Sequence, residues 1–289
     1  MVMNRRQICN AIDWLVPPNF FRLLSYYRPS ALWFAMTHHN VLHANRALLN
    51  RHHGERCFIL CNGPSVKQQD IRPLRDEVVF SVSSGYLHPD YADIQPRYHC
   101  VPQLTYGKVT PDLAVKWFRE MDERLGGAEL FLDQQEWPLV QERGLFPRRE
   151  VRYVCMGRNY FPRAPVDIEN LAGILPRVQT VPILAIMISI YMGFREIYLI
   201  GVDHDWFVKK EYIYSFEPST LKGLDIGVGL NGELETSLWD ELPAVSKVWE
   251  QYRSVKKMAS LQGTNIYNAT FGGMLDEFER VSVRSVLQT

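Results

Sequence analysis

No two cysteines of this chain are spaced as a CxxC pair, and none sits in a tight cluster with histidine. The five present, Cys9, Cys57, Cys61, Cys100 and Cys155, form neither a zinc pattern nor a disulfide framework, so reduced thiols in a cytoplasmic protein are expected. An excess of charge is missing too, because 32 lysines and arginines face 32 aspartates and glutamates. A nucleic-acid-binding domain normally carries a strong basic bias, so no nucleic-acid partner is expected, whereas a small anionic ligand needs no such bias. Long apolar runs are also absent. The longest, Val181 to Phe194, falls short of the roughly 20 residues a membrane span requires and reads as a buried helix. Arg5 and Arg6 are followed by no uninterrupted apolar stretch with a small-residue cleavage site, so no signal peptide is expected. There is no internal repeat, and the Asn62-Gly63-Pro64-Ser65 turn that follows the first strand is neither a GK[ST] phosphate loop nor a GxGxxG fingerprint.

What is present divides into two stretches. Residues 1–53 carry Arg5, Arg6, Arg22, Arg28, Arg46 and Arg51 against a single acid, Asp13, interleaved with Trp14, Phe20, Phe21, Tyr26, Tyr27, Trp33 and Phe34. Arginines among large aromatics suit a bilayer interface, so a helical N-terminal arm peripheral to the inner face of the cytoplasmic membrane is one expectation. An arm packed on its own core, or on a second copy in a homo-oligomer, is the other. From residue 54 to 289 strands alternate with helices. Apolar runs at Cys57–Leu60, Glu77–Val82, Arg97–Val101, Ala128–Leu132, Val151–Cys155, Glu196–Ile200 and Asn265–Tyr267 read as strands. A helix is expected from Pro182 to Met192, stopped by Gly193, and a long amphipathic one over Leu238–Leu261. This order predicts an α/β, Rossmann-like, mostly parallel sheet with helices on both faces. Residues 206–236, polar and glycine-containing, read as a lid.

Three clusters could carry chemistry. Cys61-Asn62-Gly63-Pro64-Ser65 follows the first strand, where an open α/β fold binds ligands: Gly63 permits close approach, Pro64 stiffens the turn, and Asn62 and Ser65 offer hydrogen bonds. An ordinary strand-to-helix turn is the bland alternative. At the start of the buried helix, Gln179 and Thr180 occupy the N-cap region beside unpaired amides, and Arg177 adds a positive charge, a combination that suits a phosphate or carboxylate. Thr180 could equally serve only as a cap. The strand Glu196–Ile200 ends in Gly201-Val202-Asp203-His204-Asp205. Polar groups at such a strand end suggest a site, with His204 as general base and Asp203 and Asp205 orienting it. The same two carboxylates could instead hold magnesium on a diphosphate. Tyr212 and Tyr214 on the lid could donate to a leaving phosphate.

As an ordered set, CNGPSVK, VVFSVSSGYLHPDY, RVQTVPILAI and GFREIYLIGVDHD resemble the bacterial CMP-sialic acid-dependent sialyltransferases. The terminal NIYNATFGGMLDEF is similar to the MptE-like domain of motility accessory factors and archaeal pterin pyrophosphokinases. The resemblance implies transfer of a nonulosonic acid from a CMP-activated donor to a glycan or glycolipid acceptor such as lipopolysaccharide or capsule, by metal-independent inversion and without a cofactor. It also implies that Asn62, Gly63 and Ser65 border the CMP site. Ser83 and Ser84 lie where the family has an asparagine and a polar neighbour, and Arg177 and Thr180 lie near the donor's sugar and phosphate. Tyr212 or Tyr214 matches one lid tyrosine, while Asp205 stands at the other. The family's catalytic histidine has no counterpart, since no histidine follows His204, so the base passes to His204 or to a carboxylate among Asp203, Asp205 and Glu233. A magnesium-dependent pyrophosphokinase and a non-catalytic scaffold in a glycan assembly complex are the alternatives.

Overall fold

Strands covered on both faces read as continuous apolar runs rather than as alternation, and residues 57–60 and 197–200 have that character without interruption. A computed structural model describes residues 26–102, 104, 109–159, 169–209, 214–215 and 237–288. In it the strands β1 (Arg56–Leu60), β2 (Val79–Val82), β3 (Tyr98–Val101), β4 (Glu129–Asp133), β5 (Val151–Arg158), β6 (Ile174–Pro176), β7 (Glu196–Ile200), β8 (Asn265–Asn268) and β9 (Glu279–Arg280) form one sheet. Their order is β6-β5-β4-β3-β2-β1-β7-β8-β9, and every neighbouring pair is parallel. The sheet is therefore all-parallel, not mostly parallel, and consistent with a Rossmann-like fold. Two strands escape sequence reading. Strand β6 has three residues and β9 two, too few to show a period.

Strand side chains alternate between two buried layers. Cys57 and Ile59 join the layer that contains helix α6 (Val181–Tyr191), while Phe58 and Leu60 face Val66, Ile71 and Leu74 on the other side. Helix α6 is apolar all round because it is covered all round. Residues 182–191 are all buried, between β1, β2 and β3 on one side and helix α8 (Leu238–Leu261) on the other. Helix α8 needs only one apolar stripe, which falls at Val248, Tyr252, Val255 and Met258–Ala259, the i, i+3, i+4 spacing of a half-buried helix. Its start is fixed by a capping box, with the Ser237 side chain accepting from the Asp240 amide and the Asp240 carboxylate accepting from the Ser237 amide. Helices α3 (Tyr91–Ile94), α4 (Pro111–Arg124) and α5 (Trp137–Arg143) cover the β3–β5 end, α4 burying Trp117, Phe118 and Met121 against Leu130, Leu132 and Tyr153.

The described part of the N-terminal arm is built into this core. Helix α1 (Pro29–Thr37) and α2 (His39–His43) bury Ala31, Phe34 and Leu42 against Cys155 of β5, and Leu48 joins the central layer. Close approach is what Gly157 permits, since a Cβ there would lie 1.9 Å from that of Ala31. Asn45 Nδ2 donates to the carbonyls of Tyr153 and Leu171 at 2.8 and 2.9 Å, and Arg51 and Arg152 both clasp Glu129 at 2.6 Å. Residues 26–53 thus complete the sheet's packing instead of hanging from it. The outward face of α1 leaves Leu32, Trp33 and Met36 exposed. Residues 1–25 lie outside the described residues, as do most of the expected lid, Tyr212 and Glu233. Of the lid, residues Trp206–Lys209 form the short helix α7. Among the described residues no helix is long and apolar enough to cross a membrane.

Candidate functional site

From β1 the chain winds outward to β6 and then returns to lay β7 on the other side of β1. The crossovers on either side of that pair run in opposite directions, so their carboxyl ends flank a topological switch point, where ligands of open α/β sheets bind. Both strand-end motifs meet there. The Cys61 amide donates to the Ile200 carbonyl at 2.8 Å and the Gly63 amide to the Gly201 carbonyl at 3.0 Å. The Ser65 amide and hydroxyl donate to Asp203 Oδ1 and Oδ2 at 3.2 and 2.8 Å. Asp203 is therefore the clasp between the two turns. Gly63 is obligatory, because a Cβ there would sit 1.8 Å from Asp203 Oδ2. Gly201 combines a φ of +69° with a Cβ position 2.7 Å from the Cys61 carbonyl oxygen. Burial raises the Asp203 carboxyl above its ordinary value, against the Ser65 hydrogen bonds.

His204 follows in the left-handed region, φ +47°. Its flanking carboxylates do not hold its proton as expected: Asp203 is turned to Ser65, and Asp205 pairs with Lys209 Nζ at 2.6 Å. Nε2 lies instead 2.7 Å from the Tyr252 hydroxyl of α8, and the ring packs among Trp206, Trp249 and Tyr252. This surrounding pushes its pKa down to about 4, burial outweighing the pull of Asp205. The imidazole is neutral at neutral pH, hence able to accept a proton.

In the middle of the sheet edge, Asn62 Nδ2 donates to the Val82 carbonyl at 3.1 Å. Ser83 stands at φ +50°, a conformation that costs a non-glycine residue on the order of 1 kcal/mol or more. It is held by buried His99, whose Nε2 lies 2.8 Å from the Ser83 carbonyl and whose Nδ1 lies 2.6 Å from Ser81 Oγ. A carbonyl only accepts, so Nε2 carries the proton and Nδ1 accepts from Ser81. Burial depresses this histidine to about 3, which keeps the arrangement neutral. No local sequence signal marks His99 as the support of Ser83.

At the far end, Arg28 reaches the sheet edge because its amide donates to the Gly157 carbonyl at 2.7 Å and Tyr27 pairs antiparallel with Arg158. It faces Arg177, whose guanidinium is held below its ordinary value by lost hydration first and by Arg28 second, with Asp133 opposing. Asp133, at the end of β4, is fully buried. Its Oδ1 accepts from the Gln135 amide at 2.8 Å, while no hydrogen bond reaches Oδ2. Burial lifts its pKa to about 7 despite the Gln135 and Met156 amides. The expected amide nest at α6 is smaller than its sequence suggests. Gln179 donates its amide to Gln251 Oε1 at 2.8 Å, Pro182 has none, and the Ile183 amide goes to the Thr180 carbonyl. Thr180 is the N-cap residue by position, but its side chain makes no cap hydrogen bond.

These groups line one cavity of about 600 Å³ along the carboxyl edge of the sheet. Asn62, Gly63, Pro64, Ser83, Ser84, Arg177, Gln179, Thr180, Gly201, Asp203, His204, Asp205 and Tyr214 all border it, with Arg28, Asp133 and Gln135 added. Ser65 lies behind it, on Asp203. Polar residues at the end of an apolar strand could have revealed Asp133 by the same reasoning that singled out Asp203; nothing local marks Arg28. A magnesium site does not fit this donor set. Both Asp203 oxygens are taken by Ser65 and Asp205 is paired with Lys209, and among the described residues no cluster of three potential ligands is placed to hold an ion. Comparison with protein-family models, curated proteins and solved structures finds no match to this chain.

Proposed function

We propose that this chain is a glycosyltransferase that takes a CMP-activated nonulosonic acid and transfers the sugar to a bacterial surface glycan acceptor. The observation that carries the reading is the continuity of the cavity. One end lies at the switch point, where a nucleotide is expected to meet the Asn62–Gly63–Pro64 turn, and the other ends on the cations Arg28 and Arg177, where an acidic sugar would be held. In the reaction the acceptor hydroxyl oxygen bonds to the anomeric carbon as the bond from that carbon to the CMP phosphate oxygen breaks. CMP leaves with the electron pair, and the hydroxyl proton passes to a base. His204 fits the base role because it is neutral and borders the cavity. A pKa of about 4 makes a weak base in the empty site, and an anionic donor arriving nearby favours the imidazolium and so strengthens it. Tyr252, on Nε2, is placed to orient the ring. Tyr214 borders the cavity and can serve a leaving phosphate; Tyr212 lies outside the described residues.

Calorimetry with CMP, UDP, GDP and ATP tests the reading most directly. Selective CMP binding without divalent metal is the expected result. Selective ATP binding that requires magnesium would favour a pyrophosphokinase, and an intact fold that binds none of them at millimolar concentration would favour a scaffold.

A further inference from the structure

Two features of the β4–β5 end of the cavity are unfavourable as they stand. Arg28 and Arg177 both line it, close enough that the charge of Arg28 lowers the Arg177 guanidinium, and among the described residues neither has an ion-pair partner within salt-bridge distance. Asp133 is a fully buried carboxyl on the cavity wall with one oxygen unpaired. Buried polar groups are almost always satisfied, and an orphan costs about 1–3 kcal/mol, so such groups in a cavity wall point to a ligand that completes them. The two complaints have opposite chemistry. The arginines call for an anion, while an ionised carboxylate only accepts hydrogen bonds and repels a second anion beside it. A single ligand answers both if it carries an acidic group and, adjacent to it, a hydroxyl or N–H. A bare phosphate chain laid along this end would satisfy the arginines and worsen Asp133. Geometry adds a length. Strands lie about 4.8 Å apart, so the end of β4 is roughly 14 Å along the edge from the end of β1, and a ligand that engages both ends is elongated.

We propose that the Arg28–Arg177–Asp133 cluster is the subsite for an acidic sugar: the carboxylate sits between the two guanidiniums, and a neighbouring hydroxyl or N–H of the same sugar donates to Asp133 Oδ2. That the sugar arrives attached to CMP rests on the functional reading above; the subsite itself does not. Arg28, contributed by the segment ahead of the sheet, and Asp133, at the end of β4, are then specificity residues.

The test is calorimetry on the full chain with CMP, with free nonulosonic acid and with the CMP-activated acid, for the wild type and for Arg28→Gln and Asp133→Asn. Asp133→Asn keeps the shape of the side chain and removes its charge, Arg28→Gln leaves a shorter, uncharged polar side chain, and thermal melts check that the variants fold. The expected result is that each variant binds CMP as the wild type does and loses at least tenfold in affinity for the CMP-activated acid. If the wild type binds CMP and both variants bind the activated acid unchanged, or if they weaken CMP equally, the subsite assignment is overturned while the transferase reading stands. If the wild type ignores CMP but binds the free acid in a way that Arg28→Gln and Asp133→Asn abolish, the subsite stands and the transferase reading falls. Binding of neither ligand overturns both. Should Arg28→Gln not fold, Arg28→Lys keeps the charge and loses the guanidinium's paired donors, and the same loss for the activated acid is expected.

Discussion

The two ends of the cavity are built on opposite principles. At the switch point every group described has its partner within the protein: Asp203 is shared with Ser65, Gly63 and Gly201 let the turns touch, and the β1 and β7 ends are stitched amide to carbonyl. At the β4–β5 end the protein leaves two cations facing each other and a carboxyl half satisfied. The first arrangement is rigid before any ligand arrives, as a turn that must approach a ligand's backbone-sized groups requires. The second stores an unfavourable free energy that a ligand of the right charge pattern can release. The difference separates residues whose substitution damages the fold from residues whose substitution damages recognition.

The largest effect expected is on rate, at His204. Under the transferase reading His204→Ala lowers turnover by about 10²–10⁴-fold, the usual contribution of a general base, with CMP affinity nearly unchanged. The pH profile of kcat/KM, which reports the free enzyme, should stay level through the ordinary histidine range and fall only as pH drops through about 4, where the imidazole takes its proton. Near-normal turnover of the variant would move the base to Asp205 or Glu233.

Next in size is a gain of stability at the unsatisfied end. Asp133 has a folded pKa of about 7 against an unfolded value near 4. The native state therefore binds more protons than the unfolded one between those values, and the contribution of Asp133 to stability, intact below about pH 4, is lost as pH rises through 7. Glu136 adds to the shift, and Arg177 faces the group with the opposite charge. Asp133→Asn removes this titration and should stabilise the protein by on the order of 4 kcal/mol at pH 8, with the gain vanishing toward pH 4. Chemical denaturation at the two pH values measures it. A variant destabilised at pH 8 would mean that the carboxylate is satisfied after all and would remove the contrast between the two ends.

Gly63→Ala should do the reverse at the settled end. With its Cβ 1.8 Å from Asp203 Oδ2 and 2.6 Å from the Gly201 carbonyl, the turn or the clasp must move, at a cost of about 1–3 kcal/mol or more. Nucleotide affinity should fall together with the melting temperature. The smallest effect is expected at Thr180. Its side chain makes no cap hydrogen bond, so Thr180→Ala should cost less than about 0.5 kcal/mol, below the typical loss for a capping threonine. A larger loss in the melt would show that the hydroxyl supports α6 rather than the ligand.

Much of the scaffold is legible in the residues alone. Seven strands and both main helices follow from apolar runs, glycine and proline punctuation and the period of α8, because those signals are local and burial on both faces of a parallel sheet leaves no other composition for its strands. The NGPS and GVDHD turns are legible for the same reason, being polar groups at the ends of apolar strands. What they do to each other is not. Nothing in the sequence says that Asp203 holds Ser65, that His204 turns from its flanking aspartates to Tyr252, or that Gln251 occupies the amide of Gln179.

Local signals thus specify the set of elements and the chemistry carried at each strand end. Which of those ends share an edge depends on how the elements pack. Sheet order placed β1 beside β7 and carried β4 outward, and packing of α1 on β5 brought Arg28, otherwise one arginine among several in an N-terminal stretch, against Arg177 and near Asp133. The physical reason is range. Periodicity and turn chemistry act over a few residues, whereas charge repulsion, desolvation and an unpaired carboxyl oxygen depend on groups that meet only after the sheet has formed.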